Sequence, residues 1–262
     1  IDFITGAKTE TSSKAQFNLK DLTGSYDSDF INFSQLNGQG SFTLPAGPAV
    51  PTTWDFKGSL GELKIDTTSS LDFPLAHLSE GGEQPIELSL SGALTGTTTE
   101  TKGSLSALTL TGEHKGEEVS FAKTSLNFTL INEVFTSKGH THFSENKIPF
   151  TYQHTRQELK NEQWLINGHL NIPTVTLKHP ITNGGAFSET AAGLSLTGTT
   201  SVTSKFQIGS DKDFTGNLDL TLKNGTLILP DEGPTLSGLT FRYQTPSLDT
   251  YHTTRLEKIS IN

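Results

Sequence analysis

The chain has 262 residues, no cysteine and no methionine, so disulfides, thiolate metal sites and cysteine nucleophiles are excluded together. Its 19 basic and 28 acidic residues leave a formal charge of −9, which repels phosphate backbones and removes nucleic acid from the expected partners. Apolar residues make up only 32% and threonine reaches 39 residues, a balance that favours pleated surfaces with one face in water over a thick core.

Taken in chain order, apolar residues alternate at i, i+2, i+4 far more often than at helical spacing. Leu63 and Ile65 begin the series. Pro74 is tolerated at a first helical position, so a short helix is expected over Leu75–Leu78. Ile86, Leu88 and Leu90 alternate with Glu87 and Ser89; Leu126, Phe128 and Leu130 alternate with Asn127 and Thr129. A hairpin is expected from Pro149 to Leu170, with Phe150, Tyr152 and His154 returning through Lys160-Asn161 into Trp164 and Ile166; a helix over Arg156–Gln163 is the alternative. Leu194-Leu196, Phe206-Ile208, Leu218-Leu220-Leu222 and Leu227-Leu229 complete the pattern. One apolar and one polar face per strand is the mark of an antiparallel sheet wet on one side.

Glycine-containing turn signals fall every eight to twelve residues or so, the spacing of sandwiches, barrels and long meanders. They are Asn37-Gly38, Glu80-Gly81-Gly82, Ser137-Lys138-Gly139, Asn167-Gly168, Asn183-Gly184-Gly185, Asp213-Phe214-Thr215-Gly216 and Asn224-Gly225. A hydrophobic-x-Gly triplet recurs, for example at Leu22-Thr-Gly24, Leu90-Ser-Gly92, Leu196-Thr-Gly198 and Leu236-Ser-Gly238, placing glycine where a bulge or turn can bend a strand. The segment Gly40–Pro48 echoes Gly225–Pro234, a hint of repeated β units. Even composition predicts one elongated unit over 1–262, with a soft seam near 179–185.

Reactive constellations are sparse. His140 and His142 share a strand face with Glu145 nearby, similar to the His-x-His-x3-4-Glu pattern of cupins. Only two residues separate His142 from Glu145, however, and Val134 stands where cupins carry a glycine, so the pair reads as solvent-facing and no metal is expected. His77, His114, His154, His169, His179 and His252 share no ligand spacing and read as surface or rim residues. Glu117-Glu118, Asp211/Asp213 and Asp231/Glu232 read as solvated turn carboxylates, and Trp54 and Trp164 are too few for sugar platforms. No nucleophile elbow, phosphate loop or dinucleotide fingerprint occurs, so no enzyme and no cofactor is expected.

The inward rows are the informative residues: Leu88, Leu90, Leu126, Phe128, Leu130, Leu194, Leu196, Phe206, Ile208, Leu218, Leu220, Leu222, Leu227 and Leu229. They fill the core of a closed β-sandwich, used as a surface, adhesive or carbohydrate-binding module, or they line an open groove for acyl chains. The alternation is the same in both.

The segment Leu220-Thr-Leu-Lys-Asn-Gly-Thr-Leu-Ile-Leu-Pro-Asp-Glu-Gly-Pro-Thr-Leu-Ser-Gly-Leu239 resembles the AsmA-like family, in the YdbH branch once labelled dicarboxylate transport. There, a strand ending Gly-x-Leu-x-Leu-Pro is followed by a glycine and a hydrophobic-x-Gly-hydrophobic strand. Leu239–Tyr243 and Leu256–Ile261 continue in that style, and the rest of the chain agrees in texture. The resemblance implies an all-β, elongated, curved antiparallel sheet forming a taco-like groove from repeated β units. It also implies a periplasmic location, an inner-membrane anchor and neighbouring β units outside these residues, an outer-membrane partner, and phospholipid as cargo moving between the two membranes.

Overall fold

The structure, a computed structural model, describes residues 2–8, 12–26, 31–45, 50–66, 77–114, 116–159, 163–183, 185, 192–209, 214–230, 233–245 and 255–260. Sixteen strands form one antiparallel sheet, and no α-helix occurs among the described residues. The first strands are β1 (Asp2–Lys8), β2 (Ser12–Tyr26), β3 (Ile31–Pro45), β4 (Thr52–Leu60), β5 (Glu62–Asp66) and β6 (His77–Glu80). They are followed by β7 (Ile86–Thr95), β8 (Thr98–His114), β9 (Glu117–Ile131), β10 (Val134–Phe143) and β11 (Asn146–Glu158). The rest are β12 (Trp164–Ile181), β13 (Ser195–Gly209), β14 (Phe214–Ile228), β15 (Thr235–Thr245) and β16 (Arg255–Ser260).

Connectivity is that of a meander. β4 and β5 are separated by Gly61 alone, and together they occupy one strand position beside β3; β6 and β7 likewise share the position beside β8. At about 4.8 Å per strand, the fourteen positions run for roughly 60 Å across the strands. β12 and β13 pair from Leu165–Gly209 to Ile181–Leu196, so the same sheet continues past residues 179–185.

Most of the expected turns lie inside strands, up to 18 residues long in β12. Asn37-Gly38 lies in β3, Ser137-Lys138-Gly139 in β10, Asn167-Gly168 in β12 and Asn224-Gly225 in β14. On the apolar face an aromatic ring occupies the space a Cβ would need on a cross-strand glycine: Phe33 at Gly24, Phe17 at Gly40, Trp54 at Gly92, Phe128 at Gly103 and Phe206 at Gly168. The ring supplies the contacts that glycine lacks and keeps it within the ladder. The tight turns are two-residue hairpins elsewhere: Ser144 and Glu145, both left-handed, join β10 to β11, and Asn132 with Glu133 joins β9 to β10. The expected helix over Leu75–Leu78 is not formed where the chain is described: His77 and Leu78 open β6, and 74–76 lie outside the described residues. The 149–170 hairpin is present, with Tyr152 opposite Leu170; Lys160-Asn161 lie outside the described residues.

Bulges line up from strand to strand. The left-handed residues Asp21 in β2, Gln35 in β3, Ala107 in β8, Lys123 in β9, Asn224 in β14 and Gly238 in β15 coincide with register shifts, as does an extra residue between Ile172 and Val175 in β12. The breaks between β4 and β5 and between β6 and β7 continue the line. Each bulge kinks its strand, and kinks in register crease the whole sheet. Along this crease lie Leu60, Ile86, Leu108, Ile148, Leu177, Leu222 and Leu239, all at most 8% exposed, although no second layer packs on them among the described residues. The sheet therefore bends toward its apolar face, and its core is the inside of that bend. A tall wall carrying Trp54, Phe128 and Phe206 rises on one side, and a shorter wall carrying Leu63, Val119 and Leu196 rises on the other. The Gly40–Pro45 and Gly225–Ile228 segments of the sequence echo end at opposite edges of the sheet, so they occupy non-equivalent positions.

Side-chain amides hold the crease. Asn146, 4% exposed, accepts from the Lys178 and His179 amides at 2.7 and 3.0 Å and donates to the Ser144 and His179 carbonyls at 2.9 and 2.8 Å, replacing ladder bonds where β12 bulges. On the polar face, Asp219 accepts from Arg242 Nε at 3.0 Å and from Gln244 Nε2 at 2.9 Å; the Arg242 bond is the main cause of its lowered pKa. A depressed carboxylate stabilises the fold fully above its unfolded value, near 3.9, and loses that contribution as pH falls through the folded value. Asp219→Asn is therefore expected to flatten the acid limb of stability below about pH 4, read by thermal melting against pH.

Candidate functional site: an uncovered apolar trough

The register places the expected inward residues on a single face. Leu88 and Leu126 both flank Leu105, and Leu90 and Phe128 both flank Gly103, so β7, β8 and β9 share their rows. On the other side of the sheet Ile208 pairs Phe214, Val202 pairs Leu220 and Leu196 pairs Leu227; Phe206 lies opposite Gly168 and Gly216, and Leu218 opposite Ser204. Leu130 continues the β9 row opposite Phe135. Leu194 and Leu229 fall just outside β13 and β14, at the edge of the short wall. Only Leu222 of this set is buried, at 1%; the others are half-buried.

The trough is thus neither a filled core nor a flat wet surface. Accessible surface totals 15838 Å². A compact chain of this mass exposes about 11,000 Å², so roughly 4,600 Å² more is open to solvent than a two-layer domain would leave. A closed sandwich needs a second sheet, and every strand packs chiefly on its hydrogen-bonded neighbours. At the top of the tall wall Leu44 and Leu94 are 47% and 40% exposed.

An aromatic band crosses the tall wall from β9 to β13. Ring centroids are 5.5 Å apart for Phe128–Phe135, 4.9 Å for Phe135–His154, 5.4 Å for Tyr152–His154 and 6.1 Å for Tyr152–Phe206. His154, expected on the surface or rim, belongs to this band. Burial lowers its pKa, so it is a neutral ring at pH 7, and burial pushes the Tyr152 hydroxyl up to about 12. Alternation sets His154 in one row with Phe150 and Tyr152, and its place opposite Phe135 shows that the row belongs to the apolar face. Polar side chains on this face bond to the sheet itself: Ser204 Oγ donates to the Asn217 carbonyl at 2.8 Å, Thr200 Oγ1 to that of Thr221 at 3.0 Å, and Thr124 and Thr141 bond each other at 2.7 Å. Their polarity is spent locally, leaving apolar relief toward the trough.

The opposite face is hydrophilic. A hollow of about 800 Å³ there is lined mainly by polar residues such as Lys14, Gln16, Asp55, Lys57, Ser89 and Lys102. His140 and His142 also lie there, ring centroids 6.0 Å apart, and the His140 pKa is lowered by burial, then by Lys147 and His142. Glu145 turns instead to His179 Nδ1 at 3.2 Å, and no group of three metal-ligating side chains gathers among the described residues. Trp54 and Trp164 sit on distant strands, β4 and β12. Glu117-Glu118 open β9, while Asp211, Asp213, Asp231, Glu232 and His252 lie outside the described residues.

No family model, no curated protein and no solved structure matches the chain.

Proposed function

We propose that this chain is a segment of a bridge-like lipid transfer protein, and that its trough carries phospholipid acyl chains with the headgroups in water. The observation that carries this reading is the continuous apolar face of a creased single sheet, over which no second sheet packs among the described residues. An acyl chain laid on such a face gains about 0.8 kcal/mol per methylene withdrawn from water, and it can shift from strand to strand because neighbouring rows are alike. Transfer needs no bond to be made or broken, hence neither a catalytic residue nor a cofactor.

The resemblance of 220–239 to AsmA-like proteins supports the wider setting: a periplasmic stretch between inner and outer membranes, with an anchor and further β units beyond these residues. β1 and β16 are the outer strands of this sheet, where backbone donors and acceptors can pair with such units. The test is native mass spectrometry of the gently purified protein. Glycerophospholipid is expected to accompany it, and a lipid-free spectrum together with no uptake of a fluorescent acyl chain would overturn the reading.

A further inference from the structure

We infer that Arg156 marks a subsite for the anionic phosphate of a lipid headgroup, at the rim of the tall wall. The inference rests on the acyl-trough reading and names the group that the trough's edge recognises. In strands β2 to β15, away from the bulges, Arg156 is the one Lys or Arg that the register places on the apolar face: it lies opposite Ile166, and Ile166 opposite Ile208. Lys14, Lys57, Lys102, Lys138, Lys205 and Arg242 all occupy polar-face positions. Arg156 therefore brings a cation to the rim of an otherwise apolar row.

The guanidinium carbon lies 5.5 Å from the Trp164 ring centre, within cation–π reach, and a guanidinium carries a planar fork of N–H donors that matches phosphate oxygens. His154, two residues back on the same face, ends the aromatic band at this rim. From Arg156 to Ile148 on the crease is eight residues, about 26 Å of extended strand. One layer of acyl chains in a bilayer is about 15 Å deep, half the hydrocarbon core, so a phosphate at Arg156 leaves its chains room to lie on the aromatic band above the crease. Glu158, on the same face two residues further, is exposed and opposes an anion there.

The experiment compares fluorescent phosphatidylglycerol with fluorescent diacylglycerol of equal chain length, both delivered from phosphatidylcholine vesicles to the full 262-residue chain. Arg156→Gln is expected to lower affinity for phosphatidylglycerol about tenfold and leave diacylglycerol unchanged, the loss typical of a charge-assisted hydrogen bond. Equal affinities of wild type and Arg156→Gln for phosphatidylglycerol, or equal losses for both lipids, overturn the headgroup subsite while leaving the trough intact. Displacement of phosphatidylglycerol by inorganic phosphate at equal concentration assigns the site to free phosphate and overturns the lipid assignment. Uptake of neither lipid by the wild type removes the subsite together with the trough. Should Arg156→Gln not fold, Glu158→Gln provides the second reading: two- to threefold tighter phosphatidylglycerol binding with unchanged diacylglycerol supports the subsite, and no change overturns it.

Discussion

Leu220→Asp is expected to lower acyl-chain uptake at least tenfold while the sheet remains folded. Leu220 is half-buried in the tall wall, opposite Val202 and Tyr243, so its side chain faces the trough and is not wedged in the crease. A carboxylate there keeps its hydration shell and displaces two or three methylenes from the wall, about 2 kcal/mol at 0.8 kcal/mol each. Leu90→Asp, in β7, carries the same expectation at a distant point of the trough, whereas Thr221→Asp on the polar face leaves uptake unchanged. Fluorescent acyl-chain titration with circular dichroism as a folding control reads all three. Wild-type uptake by both leucine variants would mean that chains do not travel on this face.

Leu222→Ala is expected to be the most damaging of the single leucine truncations, destabilising by about 2–5 kcal/mol, against about 1 kcal/mol for Leu220→Ala. The two residues are neighbours on the same face, and their difference is burial: Leu222 is 1% exposed at the crease beside the Asn224 bulge. Its methyl groups also pack where Cβ atoms on Gly198 and Gly225 would lie, so truncation opens a hole between β13 and β14. Differential scanning calorimetry would register the gap as a fall in Tm of at least about 5 °C for Leu222→Ala, scaled by roughly 2–4 °C per kcal/mol at this size. Similar melting temperatures for the two variants would show that the crease is not the core.

These outcomes separate two jobs that alternating leucines perform with one pattern. Leu88, Leu126 and Leu220 look the same as Leu222 in the sequence, because period-2 alternation reports a face and not what covers it. The turn signals misled for a related reason. Asn-Gly at 37–38, 167–168 and 224–225 has the chemistry of a hairpin, yet each sits within a long strand, since the rings of Phe56 and Phe206 cover Gly38 and Gly168 and the bulge at Asn224 uses the left-handed conformation without reversing the chain. A cross-strand ring is invisible until the register is known. Arg156 was hidden by the same gap: an arginine on an apolar row is recognisable only from the residue opposite it.

By itself the sequence determined the class and the sidedness of this protein: strands rather than helices, one oily and one wet face, no cysteine and a formal charge of −9. These follow from composition and short-range period, which each segment carries locally. Tertiary structure alone decided that the strands join one sheet and not two, that bulges fall into a common crease, and that among the described residues no second sheet packs on the oily face. Such properties depend on which strand lies beside which and in what register, and bulges of one residue set that register across tens of ångströms.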